Sequence, residues 1–284
     1  MDIIEIFKAV IFGLVEGITE WLPISSTGHL ILVDEFLQLD QTEAFKSLFD
    51  VVIQLGAVLA VVVIYWKRLW PFGKKNNSVP LKSEGLGSYV KKDIFIMWFK
   101  VVVSCIPAMI VGLLLDDWID EHFYNPWCVA VALVVFGIVF IVVEKRNTGK
   151  NPGIESIGDI TYKVAFLIGM FQVIAAVFPG VSRSGATIIG ALLIGVSRKT
   201  AAEYTFFLAV PVMFGASLLK VLKFSGSFTG GQAVILATAM ITAFVVSIIV
   251  IKFLIGYIKK HNFVVFGWYR IALGIAVLTY FIVI

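Results

Sequence analysis

A short stretch near the amino terminus combines groups that can do acid–base chemistry. The segment GLVEGITEWLPISSTGH, residues 13–29, holds polar side chains among apolar ones: Glu16, Glu20, Ser25, Ser26, Thr27 and His29. Glu16 and Glu20 are four positions apart, which puts both carboxylates on one face of a helix. Carboxylates in hydrocarbon are costly and by default mark a functional site. The pair predicts a polar cavity, a divalent cation or a basic partner; the alternative is a helix end in water at the membrane interface.

The same stretch contains a helix break. Pro23 ends the first helix, because proline lacks an N–H and disfavours helix in the residue before it. Ser25, Ser26 and Thr27 are residue types that cap the helix that follows, and His29 falls in its first turn. Capping alone explains each hydroxyl, and packing alone explains the histidine. With two carboxylates nearby, a functional role is favoured for His29, whereas capping and function stay equally open for each serine; the candidate roles are catalysis for Ser26 and His29 and substrate binding for Ser25 and Thr27.

A second stretch, PGVSRSG at residues 179–185, supplies the positive charge that the first lacks. It precedes another apolar helix, and the free N–H groups at a helix start bind anions. Arg183 adds a planar donor fork that suits phosphate. The alternative is an arginine that extends to a lipid headgroup. We predict that Arg183 is catalytic and that its neighbours bind substrate, namely Gly180, Ser182, Ser184 and Gly185.

Together the two stretches suit phosphoryl transfer. Arg183 and backbone N–H groups would hold an anion, while a carboxylate and the imidazole move protons or the carboxylates hold a divalent cation. Positioning and charge neutralisation account for most of the catalysis in such reactions. An anion transporter has no need of an acidic pair beside a hydroxyl. Asp50 and Gln54 either extend this polar site, or Asp50 is an acid at a helix start favoured by the helix dipole.

The elements that position these residues are predicted to lie in a membrane. The chain has 284 residues, of which 60% are hydrophobic and 15% charged, with a mean hydropathy of +0.97. Such a composition is typical of a polytopic helical membrane protein, here one domain over residues 1–284. The net charge of +4 belongs to loops and indicates membrane topology, with no nucleic-acid partner. The first residues lack the pattern of a cleaved signal peptide.

Six segments are long and apolar enough to span a bilayer. They are residues 45–66, 94–115, 126–143, 200–222, 232–255 and 264–284. Residues 3–40 and 160–196 differ, because each contains an apolar stretch, a Pro/Ser/Gly break and a second, shorter apolar stretch. Interrupted segments of this kind indicate re-entrant hairpins and binding sites. The predicted fold is therefore all-α, with six spanning helices and two re-entrant helix hairpins.

The two interrupted regions resemble each other. Gly13 aligns with Gly169, Glu16 with Gln172, Pro23 with Pro179 and Ser26 with Ser182 without a gap, and one insertion then brings Gly28 onto Gly185. This predicts a two-fold repeat, with a first half of about residues 1–145 and a second of about residues 158–284.

Loop charges predict how the two halves are oriented. The loop at 67–92 is basic and is predicted to be cytoplasmic, whereas the loop at 116–122 lacks lysine and arginine and is predicted to lie outside. The hairpins then enter from opposite faces, which makes the repeat inverted. In the alternative topology the broken regions span the membrane completely.

The motifs EGITEWLPISSTGH and PGVSRSG, in a polytopic chain of this length, closely resemble the undecaprenyl-diphosphate phosphatase family, also called bacitracin-resistance proteins. The resemblance covers essentially the whole chain, including FDVVIQLGAVLAVVVIYWKRLW after the first motif. It implies a hydrolase of the bacterial plasma membrane that converts undecaprenyl diphosphate to undecaprenyl phosphate. That product is recycled for peptidoglycan synthesis, and extra activity confers bacitracin resistance. The family also implies Mg²⁺ or Ca²⁺, a homodimer, and an active site open to the outer face.

By position, Glu16 and Glu20 match the acidic motif of the family and are the predicted cation ligands, while Ser26, His29 and Arg183 match its other motif positions. Two mechanisms fit these residues. In one, Ser26 is the nucleophile and Glu20 or His29 takes its proton. In the other, a water activated by a carboxylate or by His29 attacks directly, and Ser26 orients the phosphate. The competing function is a polyprenyl-phosphate flippase or an anion transporter, because inverted repeats with broken helices are typical of transporters.

Overall fold

The structure is a computed structural model that describes residues 3–73, 79–82, 84–123 and 125–283. These residues form eleven α-helices and two short 3₁₀ turns, at Gly85–Tyr89 and Ile157–Asp159, with no β-strand beyond isolated bridges. The helices are α1 Ile3–Thr19, α2 Ser26–Phe36, α3 Glu43–Ile64, α4 Trp66–Leu69, α5 Lys92–Phe123, α6 Pro126–Asn147, α7 Tyr162–Val177, α8 Arg183–Ile194, α9 Arg198–Lys223, α10 Gly230–Ile258 and α11 Val264–Val283. The predicted all-α class is confirmed.

Six of the helices in the described part of the chain are long and apolar enough to cross a membrane. They are α3, the Lys92–Leu115 portion of α5, α6, α9, α10 and α11, and they coincide with the six segments predicted from hydropathy. One boundary differs, because α5 continues through residues 116–122, which were predicted to be a loop, and ends at Phe123. The chain is a multi-pass membrane protein.

The two interrupted regions fold as helix–turn–helix pairs. In the first region α1 packs against α2, and in the second α7 packs against α8. Helices α2 and α8 have 11 and 12 residues, which is about 17 and 18 Å at 1.5 Å per residue. Neither reaches across a hydrocarbon core of about 30 Å. Both lengths fit hairpins that turn back inside the membrane, and their entry from opposite faces stays a prediction.

Helix packing exchanges partners between the two predicted halves. Helix α1 packs along α10, while its counterpart α7 packs along α5. The aligned glycines mark both contacts: a Cβ on Gly13 would meet the carbonyl oxygen of Ala239 in α10, and a Cβ on Gly169 would meet that of Ser104 in α5. Counterparts also pack together, α3 on α9 and α6 on α11. Two related halves would produce this pattern, and the repeat boundaries stay a prediction.

Gly169→Ala is expected to lower the thermal stability of the detergent-solubilised protein. The new methyl group has no room, because the Ser104 backbone that it would meet cannot rotate away. Gly215→Ala is the matched control, since nothing lies within 4 Å of a Cβ at that position of α9. Alanine favours helix over glycine by about 1 kcal/mol, so the control should melt no lower than the parent. Equal melting temperatures for both variants would contradict the tight α5–α7 contact.

Candidate active site

One carboxylate, that of Glu20, joins the two predicted motifs. Its side chain is 6% exposed and lies just after the end of α1. The Ser26 hydroxyl donates a hydrogen bond of 2.6 Å to Oε2 of Glu20, and Nη2 of Arg183 donates one of 2.9 Å to Oε1. Glu20 and Arg183 are 163 positions apart in the sequence. The two stretches that the sequence predicted to meet therefore form one cluster inside the protein.

The helix caps direct Ser26 and Arg183 toward Glu20. Ser25 caps α2 and accepts a hydrogen bond of 3.2 Å from the Gly28 N–H, while Ser182 caps α8 in the same way. Ser26 and Arg183 are consequently the first residues of their helices. Both cap serines have positive φ, 76° for Ser25 and 71° for Ser182. Such a backbone costs about 1–3 kcal/mol per residue, and strain of this kind clusters at functional sites.

The caps correct the internal alignment by one residue. The sequence alignment paired Ser26 with Ser182, but the equivalent caps are Ser25 and Ser182, and their bonds to Gly28 and Gly185 match without an insertion. Ser26 is therefore the structural counterpart of Arg183. The two halves place a hydroxyl and a guanidinium at equivalent positions, and both contact Glu20.

The second break is one residue longer between its proline and its cap, which explains the shift. Gly180 lies in this insertion with φ +93°, and a Cβ there would come within 2.6 Å of the Val129 carbonyl oxygen. A residue without a Cβ is therefore required at this position. Gly185 is needed for a different reason: it is helical, and a Cβ would lie 3.1 Å from Nη1 of Arg270.

The other predicted hydroxyls differ in their proximity to Glu20. Ser184 donates a hydrogen bond of 3.2 Å to the Glu20 carbonyl oxygen, and its own hydroxyl lies 3.0 Å from that of Ser182. Ser184 therefore contacts Glu20 directly, and Ser182, the cap of α8, joins the cluster through Ser184. Thr27 is the second residue of α2, and none of the described hydrogen bonds joins its side chain to Glu20 or Arg183. The structure thus groups Ser184 with the site more closely than Thr27.

His29 faces α11 and makes no hydrogen bond to Ser26 among the described contacts. Its Nδ1 lies 2.7 Å from the Ser25 carbonyl oxygen, and its Nε2 lies 2.7 Å from the Tyr269 hydroxyl. A carbonyl only accepts, so Nδ1 carries the proton. In the neutral ring Nε2 then accepts from Tyr269. The lone pair of His29 consequently points toward Tyr269.

A mostly apolar groove adjoins His29. It has a volume of about 420 Å³ and is lined by residues of α1, the first break, α2 and α11: Val15, Ile18, Thr19, Leu22, Ile24, His29, Val265, Phe266 and Tyr269. His29 and Tyr269 supply its polar end. A groove of this composition can take a hydrocarbon chain next to a polar centre.

Glu16 is the free carboxylate of the site. It is fully buried, and neither of its oxygens has a hydrogen-bond partner among the described residues. Glu20, Asp50 and Arg183 are close enough to interact with it electrostatically. A buried carboxylate without partners is expensive, so it needs a proton or a cation. Glu16 therefore fits the predicted role of a cation ligand.

A cation here would need ligands beyond the protein. The described residues contain no group of three His, Cys, Asp or Glu side chains arranged to hold a metal. Mg²⁺ commonly binds one or two carboxylates and completes its shell with water and substrate phosphates. Glu16, with Glu20 one helical turn away, matches such a partial ligand set. The residues thus fit a cation that arrives with, or is completed by, a phosphorylated substrate.

Asp50 belongs to the surroundings of the site. It is the eighth residue of α3, so its interpretation as an acid at the helix start is wrong. It interacts electrostatically with Glu16 and with Lys46 and Lys220. Gln54 is less informative, because its amide donates to the Asp50 backbone carbonyl within the same helix. Asp50 thus extends the charged region around Glu16.

One nitrogen of the Arg183 guanidinium has no hydrogen-bond partner in the described part of the chain. Its Nη1 donates to the Thr205 carbonyl oxygen at 3.1 Å, and its Nη2 is held by Glu20, but Nε has no partner among the described residues. The side chain is 13% exposed, so a bound anion would meet it largely out of water. The first N–H groups of α2 and α8 also lack carbonyl partners within their helices. These donors can bind a phosphate.

Sequence reasoning missed two residues of α11, Tyr269 and Arg270. Arg270 is fully buried and binds a carbonyl oxygen in each of the two breaks. The signal was present in GWYRIALG, residues 267–274, where one arginine interrupts an otherwise apolar spanning segment. An intramembrane charge is a functional hypothesis by default, and Arg270 lies outside the two broken regions.

Comparisons with known proteins show which family the chain belongs to. The family model described as bacitracin resistance protein BacA matches residues 9–276. "Undecaprenyl-diphosphatase 1" of Clostridium acetobutylicum is 60% identical over 284 residues and covers 100% of both chains. A protein of Desulfitobacterium hafniense named "Undecaprenyl-diphosphatase" is 59% identical, and the match covers 99% of this chain and 98% of the relative. A protein of the same name from Lachnoclostridium phytofermentans is 58% identical, and the match covers 99% of both chains.

The family match covers the first interrupted region from residue 9 onward, the whole second region, and all six spanning helices except the last residues of α11. The match to the Clostridium acetobutylicum relative covers the whole chain, including the positions of both motifs. The chain belongs to the BacA family of bacitracin resistance proteins.

Proposed function

We propose that this protein is a membrane phosphatase that hydrolyses undecaprenyl diphosphate to undecaprenyl phosphate and inorganic phosphate. The observation that carries the proposal is the double contact of Glu20 with Ser26 and Arg183. A hydroxyl bound to a carboxylate, beside a guanidinium with a free N–H, suits attack on a phosphate. The relatives named for this activity align along the full length of the chain.

In the proposed complex the diphosphate lies between the starts of α2 and α8. Arg183 donates its free Nε–H to the terminal phosphate, and first-turn N–H groups bind further oxygens. This would neutralise charge on the equatorial oxygens, which dominates phosphoryl transfer. Glu16 and Glu20 would hold the divalent cation, which supplies further neutralisation of the diphosphate when bound.

Ser26 is the proposed nucleophile. Its Oγ attacks the terminal phosphorus while its proton passes to Oε2 of Glu20, and the bond from that phosphorus to the bridging oxygen breaks. Undecaprenyl phosphate leaves, and the oxygen of a water then attacks the phosphoserine phosphorus. As the bond from phosphorus to Oγ breaks, Glu20 returns its proton to Oγ, and inorganic phosphate departs with the hydrogens of the water. Glu20 is preferred to His29 as the base, because Ser26 already donates to Glu20 whereas His29 is bonded to Tyr269. His29 is proposed to exchange a proton with the group that takes the place of the Tyr269 hydroxyl at its Nε2 during the reaction.

The groove beside His29 is proposed to hold the first isoprene units of the substrate. Its lining is mostly apolar and includes His29, the fourth residue of the helix that begins with Ser26. We also propose that the protein lies in the bacterial plasma membrane, that its active site opens to the outer face of that membrane, and that it forms a homodimer. The basic loop at 67–92 supports this orientation, and the relatives named above all come from bacteria.

Glu16→Gln is expected to raise the Mg²⁺ or Ca²⁺ concentration needed for half-maximal activity by about tenfold or more. The amide keeps the shape of the side chain but removes the negative charge that attracts the cation. The measurement is phosphate release during a cation titration of the purified variant. Glu5→Gln is the matched control, because this buried α1 carboxylate is bonded to Lys8 and the Asp40 N–H instead of being free. An unchanged titration curve for Glu16→Gln would contradict its role as a ligand.

The proposed function is tested by inorganic phosphate release from undecaprenyl diphosphate by the purified protein in detergent. We expect turnover that requires a divalent cation and yields one phosphate per undecaprenyl phosphate. The same protein in liposomes with labelled undecaprenyl phosphate tests the competing flippase. Movement of the lipid between leaflets without phosphate release in either assay would replace the phosphatase with a transporter.

A further inference from the structure

A second arginine, Arg270, lies behind the catalytic cluster and is fully buried. Its Nη1 donates to the Pro23 carbonyl oxygen at 3.1 Å, and its Nη2 donates to the Gly180 carbonyl oxygen at 2.9 Å. Pro23 belongs to the first break and Gly180 to the second. One rigid guanidinium from α11 therefore joins the two loops that lead into α2 and α8.

Arg270 also approaches the start of α8 directly. A Cβ on Gly185 would lie 3.1 Å from Nη1 of Arg270. Gly185 is in the first turn of α8, two residues after Arg183. The positive charge of Arg270 is thus close to the helix start at which the proposed phosphate site is formed.

No carboxylate is in hydrogen-bond contact with Arg270 in the described part of the chain. Its two acceptors are carbonyl oxygens, its Nε has no partner among the described residues, and the aromatic rings of Phe136 and Phe140 lie 6.0 Å from the guanidinium carbon. Other buried or half-buried arginines here have acidic partners, such as Arg198 with Glu144 and Arg183 with Glu20. A buried charge is normally paired, so Arg270 requires another explanation.

We infer that Arg270 is a positioning residue that fixes the two breaks relative to each other and leaves an uncompensated positive charge for the substrate diphosphate. This rests on the proposed phosphatase function. The planar guanidinium holds two carbonyls at once, which sets the spacing of Ser26 and Arg183 around Glu20. A diphosphate brought between α2 and α8 is attracted by the positive charge behind them, because the low-dielectric surroundings screen that attraction poorly.

Two substitutions separate the two parts of this role. Arg270→Lys keeps the charge but replaces the planar fork with a point donor on a shorter side chain. Arg270→Gln removes both. Steady-state phosphate release gives kcat and KM, and inorganic pyrophosphate, used as a competitive inhibitor, gives a Ki that reports anion binding alone. Melting temperature measures folding for each variant.

We expect Arg270→Lys to keep KM and the pyrophosphate Ki within about threefold of the parent while kcat falls about tenfold or more. Arg270→Gln should show the same fall in kcat and, in addition, a rise of about tenfold or more in both KM and Ki. A purely structural arginine would lower the melting temperature and the amount of active protein without this split. Arg198→Gln is the matched control, since it breaks the ion pair to Glu144 and should lower the melting temperature without changing KM or Ki.

Each outcome decides part of the inference. A parental kcat in Arg270→Lys rejects the positioning role, and a parental Ki in Arg270→Gln rejects the charge role. If Arg270→Gln does not fold, a rise of Ki in the folded Arg270→Lys variant, with the charge still present, rejects the charge role instead. The unmodified protein is the internal standard: if it releases no phosphate, the proposed function fails, whereas normal turnover with unaffected variants rejects only the role of Arg270.

Discussion

Arg183→Ala is expected to slow phosphate release on the order of a thousandfold, comparable to the loss of an arginine that stabilises a transferring phosphoryl group. The residue offers its unpartnered Nε–H to the phosphate and fixes Glu20 through Nη2. The alanine variant lacks this donor, and the buried Glu20 carboxylate loses its ion pair with the guanidinium of Arg183. The measurement is kcat/KM for undecaprenyl diphosphate with the purified variant.

Two variants sharpen the Arg183 prediction. Arg183→Lys should recover only part of the loss, because an ammonium cannot contact Glu20, the Thr205 carbonyl and a phosphate in the same plane. Arg68→Ala is the control for loss of an ion pair, since Arg68 pairs with Glu203 at 3.0 Å. It should leave kcat/KM nearly unchanged, because none of the described hydrogen bonds or ion pairs joins Arg68 or Glu203 to Glu20, Ser26 or Arg183. If Arg183→Ala kept more than about a tenth of the activity, its barrier would have risen by less than about 1.4 kcal/mol and Arg183 would not act on the transition state.

Ser26→Ala is the other substitution with a large expected effect, about a thousandfold or more in kcat. Loss of a nucleophile leaves only the catalysis that comes from binding and charge stabilisation. The parent enzyme, quenched in acid during turnover with substrate labelled on the terminal phosphate, should carry the label on Ser26. Ser217→Ala, which removes another inward-facing hydroxyl that binds the Val51 carbonyl, should have parental kcat and no loss of label.

The competing mechanism makes a different prediction for Ser26. If water attacks directly and Ser26 only orients the phosphate, Ser26→Ala should lose about tenfold, which is the scale of one hydrogen bond. No label should then appear on the parent protein. That pair of results would replace the phosphoserine pathway with direct attack by water while leaving the site itself intact.

The spanning helices could be predicted because hydrocarbon imposes a simple rule on them. A bilayer requires about 20 apolar residues in a row, and segments such as 126–143 and 232–255 meet it regardless of their neighbours. The rule did not predict the end of α5. Residues 116–122 are too polar to belong to a membrane span, but the helix continues through them to Phe123. Polar residues indicate where a helix leaves the hydrocarbon, but the helix itself can continue beyond that point.

The meeting of Glu20, Ser26 and Arg183 could also be predicted, since each is costly alone in lipid and their charges are complementary. The residue-by-residue correspondence between the two breaks could not be predicted. The alignment was anchored on Pro23 and Pro179, and the position of the cap depends on the positive φ of Gly180, which the composition of the loop does not reveal. The sequence left Glu20 and His29 open as the proton acceptor of Ser26; in the structure Ser26 donates to Glu20, and Nε2 of His29 contacts Tyr269, 240 positions away.

Arg270 shows why a local reading of the sequence is incomplete. Its two acceptors are backbone carbonyls 247 and 90 positions away, and carbonyls carry no residue-type signal. Glu16 is the opposite case, because its lack of a partner is visible only once every neighbour is in place. Side-chain chemistry can be read from the sequence, but the backbone groups that complete a site depend on the fold.

A double-mutant cycle between Ser26 and Arg183 tests most directly whether the two broken helices form one catalytic site. Phosphate release is measured under single-turnover conditions for Ser26→Ala, Arg183→Ala and the double variant. Residues that act as one unit are not additive, so the double variant should be no slower than the slower single variant. If instead its rate falls by the product of the two single losses, Ser26 and Arg183 act independently and the single site proposed here does not exist.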